Sequence, residues 1–340
     1  MRKRRGLFAV LTAGLLLLLL SGCGSKGPDQ VAADLEKKMK SLQSYMAQGT
    51  LTLKTGQASQ SYKVEVWHKR PDFFRIALTN VEKSVKQIIL KNQEGVFVLT
   101  PHLNKSFRFQ SNWPDRQGQV YLFESLVNSI INDPEKSFAT EENAYLFQVK
   151  ANYQNRTLAY QRVWFDAKTL APKKVEVMDP DYKVLVSLTF EDFRFDTKFD
   201  DDAFDTQHNM TSSSAPSLPV MGEEGANKDF SVIEPAYLPD GVKATGMDEI
   251  ENEEGKKVIF QYGGVYQYTV IEEPVKERMV IASEGEPVDL DFLMGVKTVN
   301  GNVKTLRFTY NGVDFTLMTA NLPDEEMVNV AKSVFGQTGK

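Results

Sequence analysis

Between residues 49 and 205 the chain repeats one pattern: a short run in which apolar and polar residues alternate, a turn, and another such run. Tyr62, Val64, Val66 and His68 set against Lys63, Glu65 and Trp67 show it most clearly. Alternation at period two suits a strand with one buried face. Runs spaced roughly 8 to 12 residues apart leave no room for parallel crossovers, so the sheet is antiparallel. The runs are Gly49–Lys54, Tyr62–Lys69, Phe73–Leu78, Val85–Leu90, Val96–Thr100 and Ser106–Gln110, then Tyr145–Ala151, Leu158–Asp166, Lys173–Met178 and Lys183–Phe195. Fifteen of the 36 aromatic residues (21 Phe, 12 Tyr, 3 Trp) fall in these ten runs, which gives a sheet with a bulky apolar face. The chain has one cysteine, so no internal disulfide is available and apolar packing must hold the fold.

Two stretches depart from period two. Val31, Leu35, Met39 and Leu42 recur at helical spacing among Glu36, Lys37, Lys38 and Lys40, which predicts an amphipathic helix over 30–44. After the break at Asn112–Gly118, the residues Val120, Phe123, Leu126, Val127, Ile130 and Ile131 form a second stripe, closed by Asp133-Pro134. Tyr121 and Leu122 widen that apolar surface, so this helix is either covered on most sides or a lid over something apolar. Residues 206–228 are rich in Ser, Pro and Gly and read as a linker. A small α+β domain over 229–338 follows, with a hairpin turn at Asn311-Gly312. Its closing helix is capped by Asp324 and carries Met327, Val330, Ala331 and Val334.

The amino terminus sets the compartment. Arg2, Lys3, Arg4 and Arg5 precede a fourteen-residue apolar run ending at Leu20, then Ser21, Gly22 and Cys23. That is the pattern of an export signal, and the run is shorter than the ~20 residues a bilayer-spanning helix needs. Leu20-Ser21-Gly22-Cys23 resembles the bacterial lipobox. The resemblance implies a signal peptide over 1–22, a diacylglycerol on Cys23 as the only attached group, and a lipidated tether over 23–29. The protein is then held at the extracytoplasmic face of the cell membrane. Loss of 1–22 moves the formal net charge from -5 to -9, which excludes nucleic acid and anionic surfaces as electrostatic partners. His68, His102 and His208 lack the spacing of metal ligands, and the acidic run Asp196–Asp205 lacks that of a calcium loop, so it reads as a solvated strand end. No motif sets a nucleophile beside a base, and no catalytic residue is assigned.

Lys69-Arg70-Pro71-Asp72-Phe73-Phe74-Arg75-Ile76 follows the first helix and two strands. A strand ending in Gly95-Val96-Phe97-Val98-Leu99-Thr100-Pro101 comes next, then the second helix and a second meander. In this order, residues 30–205 resemble the outer-membrane lipoprotein carrier (LolA-like) family, in a lipidated two-domain form similar to sporulation-associated LolA-like lipoproteins of Gram-positive bacteria. They resemble the RseB-like regulators more weakly. The family's usual Ser-Asp-Gly-x-x-Leu-Trp segment is Lys91–Phe97 here, without the Trp.

The resemblance implies a mainly β (α+β) architecture, an incomplete antiparallel barrel wrapped on helices, with acyl chains bound between sheet and lid. The cavity candidates are Trp67, Phe74, Ile76, Ile88, Leu90, Phe97, Leu99, Phe107 and Phe109 from strands, and Phe123, Leu126 and Ile130 from the lid. Strand parity decides which of them face inward. Arg70 matches the family's latch to the lid. The expected partners are the membrane through Cys23, lipid or lipoprotein acyl chains, and an envelope protein. The competing expectation is a packed scaffold for a cell-envelope or sporulation enzyme or regulator.

Overall fold

The computed structural model describes residues 26–54, 59–81, 86–101, 105–109, 119–153, 158–212, 232–252, 255–274, 285–290, 293–310 and 313–335. The leader, Cys23, His102, the break at 112–118 and the Asn311-Gly312 turn lie outside these residues.

Helix α1 (Pro28–Ser41) opens with Pro28 in its first turn, where a missing N–H costs nothing, and Asp29 faces the positive end of its dipole. Six strands follow as hairpins: β1 (Ser44–Leu53), β2 (Gln60–Lys69), β3 (Phe73–Asn80), β4 (Lys86–Asn92), β5 (Gly95–Thr100) and β6 (Lys105–Phe109). After helix α2 (Phe123–Asn132) come β7 (Ser137–Glu141), β8 (Ala144–Lys150), β9 (Tyr160–Asp166), β10 (Pro172–Met178) and β11 (Val184–Phe195). The strands form one antiparallel sheet in the order β6-β5-β4-β3-β2-β1-β11-β10-β9-β8-β7. The first and last strands pair at its middle, and β6 and β7 remain as edges, so the barrel is open. The β1–β11 register shifts at Gln48/Gly49. An added Cβ on Gly49 would collide there with the Thr189 carbonyl oxygen, so glycine permits the close approach.

The inner face of this sheet wraps α1 and α2. Val31 and Leu35 of α1 and Phe123, Leu126, Val127 and Ile130 of α2 share one core with Tyr45, Leu51, Val66, Ile76, Ile89 and Val98. The outer face of β3–β5 is buried as well. Ala77, Ile88, Leu90, Phe97 and Leu99 pack beneath Phe199, Ala203, Phe204 and Met210. The acidic run is therefore not simply a solvated strand end: its Phe and Ala residues anchor the chain as it crosses back over the sheet. Thr206–Ser212 is helix α3, not the start of a linker. Its Asn209 is buried and donates to the carbonyls of Ala203 (2.9 Å) and Asp205 (2.8 Å). Sequence periodicity misses so short a helix, and it also misses β7.

The second sheet comprises β12 (Val242–Asn252), β13 (Gly255–Gly264), β14 (Tyr268–Pro274), β15 (Glu286–Asp289), β16 (Met294–Asn300), β17 (Val303–Tyr310) and β18 (Val313–Thr319). Its order is β12-β13-β14-β18-β17-β16-β15, and helix α4 (Asp324–Lys332) packs Met327, Val330 and Ala331 into its core. Pro323, not Asp324, occupies the N-cap position, and Asp324 instead takes both Lys297 (2.7 Å) and Lys304 (2.6 Å). The sheets touch: Met294 and Val296 join the larger core, the Met294 N–H donates to Gln87 Oε1 (3.2 Å), and Gln60 donates to the Tyr310 hydroxyl.

Candidate functional site

Helix α2 is the element on which the lid, cavity and latch expectations converge. Its apolar stripe meets the inner sheet face without a gap. Phe123 and Ile130 are 0% exposed and Leu126 is 1% exposed, so no water-sized sphere fits against them. No side-chain hydrogen bond caps its start. Tyr45 instead holds the first turn: its hydroxyl donates to Glu124 Oε2 (2.9 Å) and accepts the Phe123 N–H (3.3 Å). His68 stands beside this pair, with Nε2 3.4 Å from Glu124 Oε1. Its Nδ1 lies 3.1 Å from the Phe73 carbonyl oxygen, which can only accept, so Nδ1 carries the proton. Burial is the main cause that pushes the His68 pKa down, and the Glu124 carboxylate opposes it. Burial likewise pushes the Tyr45 hydroxyl well above its ordinary range.

The twelve expected cavity residues divide between the two faces. Phe74, Ile76, Phe107, Phe123, Leu126 and Ile130 lie on the inner side with α2. Trp67, Ile88, Leu90, Phe97 and Leu99 lie on the opposite side, under the 199–210 segment, so their placement opposite the lid is corrected. The registers explain the split: Ile76 pairs with Ile89 and Ile89 with Val98, which leaves Ile88, Leu90, Phe97 and Leu99 to point outward together. The Phe109 side chain lies outside the described residues. Arg70 is also corrected. Its guanidinium donates to the carbonyls of Met39 (3.3 Å) and Lys40 (2.7 Å), and so it satisfies the end of α1 instead of reaching α2. Tyr45, His68 and Glu124 occupy the position that the latch was expected to fill.

A cleft of about 720 Å3 runs along the flank of α2 that faces away from the core. Ser125, Asn128, Ser129 and Asn132 form one wall, and Asn152, Tyr153 and Gln161 the other. Gln161, 3% exposed, donates from Nε2 to Ser129 Oγ (3.2 Å) and accepts the Tyr153 hydroxyl (2.5 Å). Asp133 accepts the backbone N–H groups of Glu135 (2.8 Å) and Lys150 (2.7 Å) and closes the far end. Neither motif nor apolar periodicity singles out these residues. The signal was available in the Ser-Asn stripe of 125–132, where an exposed helix face ordinarily carries Lys and Glu.

Among the described residues, no group of three or more His, Cys, Asp or Glu is placed to hold a metal ion. No described helix is long and apolar enough to cross a membrane.

A family profile described as sporulation protein YdcC-like matches residues 3–204, and one described as a domain of unknown function (DUF4367) matches residues 232–334. The chain is 43% identical over 345 residues to the sporulation protein YdcC of Bacillus subtilis (strain 168), with 100% of each chain covered. Among solved structures it is similar to a chain of the Pseudomonas aeruginosa MucA/MucB complex, at 14% identity and a TM-score of 0.34, over 91% of this chain and 99% of that one. It is also similar to the LolA superfamily protein NE2245 from Nitrosomonas europaea, at 14% identity and a TM-score of 0.28, over 52% of this chain and 98% of that one.

Proposed function

Since this chain belongs to the sporulation protein YdcC-like family, we propose that it is a non-catalytic binding protein of the sporulating cell's envelope, tethered by a diacylglycerol on Cys23. Its anchor follows from the basic start, short apolar run and Leu-Ser-Gly-Cys ending of the leader. Two acyl chains hold a protein at a membrane where one is marginal. The observation that carries the binding reading is the packed α2 face, with Phe123, Leu126 and Ile130 at 0–1% exposure. A filled interior directs recognition to the outside of the fold, so the partner is an envelope protein engaged by the surface of the two domains.

A second reading keeps acyl chains between the sheet and α2. It is favoured by how few polar groups hold this helix: it lacks a side-chain cap, and Tyr45, His68 and Gln161 supply its polar contacts from the sheet. A ligand that enters must lift the helix and replace the apolar contacts it breaks, at about 25 cal/mol per Å2.

One preparation separates the readings. Residues 24–340, purified without detergent, are extracted and the lipid is weighed by mass spectrometry. A folded protein free of lipid is expected; stoichiometric lipid would replace the first reading with the second. For the anchor, Cys23→Ala is expected to move the chain from the membrane fraction to the soluble fraction, and an unchanged membrane fraction would overturn lipidation at that residue.

A further inference from the structure

The cleft beside α2 is built for a ligand that neither reading above requires. Four uncharged residues of its helix wall, Ser125, Asn128, Ser129 and Asn132, recur at i, i+3, i+4 and i+7, opposite the apolar stripe, beside the one helix carboxylate that lines the cleft, Glu124. Solvation alone does not call for this composition, because Asn and Ser are poorer helix formers than the Lys and Glu that ordinarily coat such a face. Asn128, Asn132 and Asn152 are exposed in the cleft, and their side chains make no hydrogen bond among the described residues. Each therefore offers an amide that both donates and accepts. Beneath them, the half-buried Tyr153–Gln161–Ser129 chain of hydrogen bonds fixes the floor, and Ser129 Oγ donates onward to the Leu126 carbonyl (2.8 Å).

The electrostatics narrow the ligand. Among the described residues, the one cation lining the cleft, Lys150, is paired with Glu135 (2.6 Å), and Glu124 is held by Tyr45. No unpaired cation among the described residues faces a phosphate or carboxylate there, and Glu124, Asp133 and Glu135 outnumber Lys150 and repel one. An extended peptide finds no free backbone to pair with, because β8 and β9 each have neighbours on both sides. A neutral ligand rich in hydroxyl and amide groups fits: paired amides satisfy neighbouring hydroxyls, and the half-buried Tyr153 supplies aromatic surface for the apolar face of a sugar ring. The volume lies within the usual range for ligand sites, about 300–1,000 Å3.

We propose that this cleft binds a neutral oligosaccharide carrying hydroxyl and acetamido groups.

The test uses the full chain in a sugar-free non-ionic detergent. It is titrated by calorimetry with the β-1,4 N-acetylglucosamine tetramer and, separately, with the glucose tetramer of the same linkage. Saturable binding is expected for the acetamido sugar and weaker binding for the plain glucan. Asn128→Ala combined with Asn132→Ala removes two amides and should weaken binding about tenfold or more. Asn152→Ala, on the opposite wall, should weaken it independently, and Asn300→Ala on the smaller domain should leave it unchanged. Both helix positions are exposed, and helical circular dichroism checks that the fold is retained. Absence of saturable binding, equal affinity for the two tetramers, or affinity unmoved by the cleft substitutions would each overturn the proposal.

Discussion

In the larger domain one buried ionisable group is a base, His68, whose pKa burial pushes down; in the smaller domain one is an acid, Glu272, pushed up to about 7. Burial is the leading cause in both, because each interior penalises the charged form. The surroundings differ. Each ring nitrogen of His68 faces an acceptor, the Phe73 carbonyl at Nδ1 and Glu124 near Nε2, and the second is satisfied only when the ring is protonated. Glu272, 0% exposed, accepts the Ile233 N–H at Oε2 (2.9 Å), while Oε1 has no hydrogen-bond partner among the described residues. Its cross-strand neighbours are Val258 and Phe315. The lesson is that one physical penalty gives two domains of one chain opposite responses to pH. A raised carboxyl stabilises the fold below its unfolded pKa, and that stability is lost as pH rises through about 7. A depressed imidazole stabilises above its unfolded pKa, and that stability is lost as pH falls through the lower folded value.

The strongest way to separate the domains is to empty the larger core. All three tryptophans precede residue 206, so tryptophan fluorescence follows the larger domain alone. Phe123→Ala should cost that transition about 3–5 kcal/mol and leave amide exchange in β13 and β14 unchanged. Equal loss in both domains would show that the Met294–Gln87 contact couples them fully. The next effect belongs to Glu272. Between about pH 5.5 and pH 7.5 the smaller domain should lose about 2 kcal/mol, measured by hydrogen exchange at the two pH values. Glu272→Gln should abolish that slope, and a slope that persists in this variant would assign it elsewhere. The opposite and smaller effect is His68→Gln, which should flatten the loss of fluorescence-detected stability in the larger domain as pH falls below about 6.5. An unaltered profile would remove His68 from the comparison. Arg70→Ala is expected to have the smallest consequence, about 0.5–1 kcal/mol, since only exposed carbonyls at the end of α1 lose a donor. Urea midpoints measure it, and a loss several times larger would restore a latch role for this arginine.

How much of this was legible depends on the element. The stripe 123, 126, 127, 130 announced α2 because one face only is apolar there, and the alternation of 62–69 announced β2 for the same reason. Val96-Phe97-Val98-Leu99 carries no such information. Both faces of β5 are apolar, so periodicity says that the strand is buried and stays silent on which side faces the helix. The second cover, Phe199 and Phe204, lies about a hundred residues later in an acidic run that composition alone assigns to solvent. The cleft was half visible, since the Ser-Asn stripe stands in plain sequence, but its other wall comes from Asn152 and Gln161 across the sheet.

By itself, then, the sequence determined the antiparallel sheet, the two amphipathic helices and the smaller domain with its closing helix. These follow from the spacing of apolar residues along the chain and from connections too short to cross over. Only the tertiary structure decided that Tyr45 meets Glu124, that Arg70 ends α1, and that Ile88, Leu90, Phe97 and Leu99 turn away from the helix they were expected to face. The physical reason is that a side chain's face is fixed locally only when its strand has one apolar side. Where both sides are apolar, the covers brought by distant segments choose.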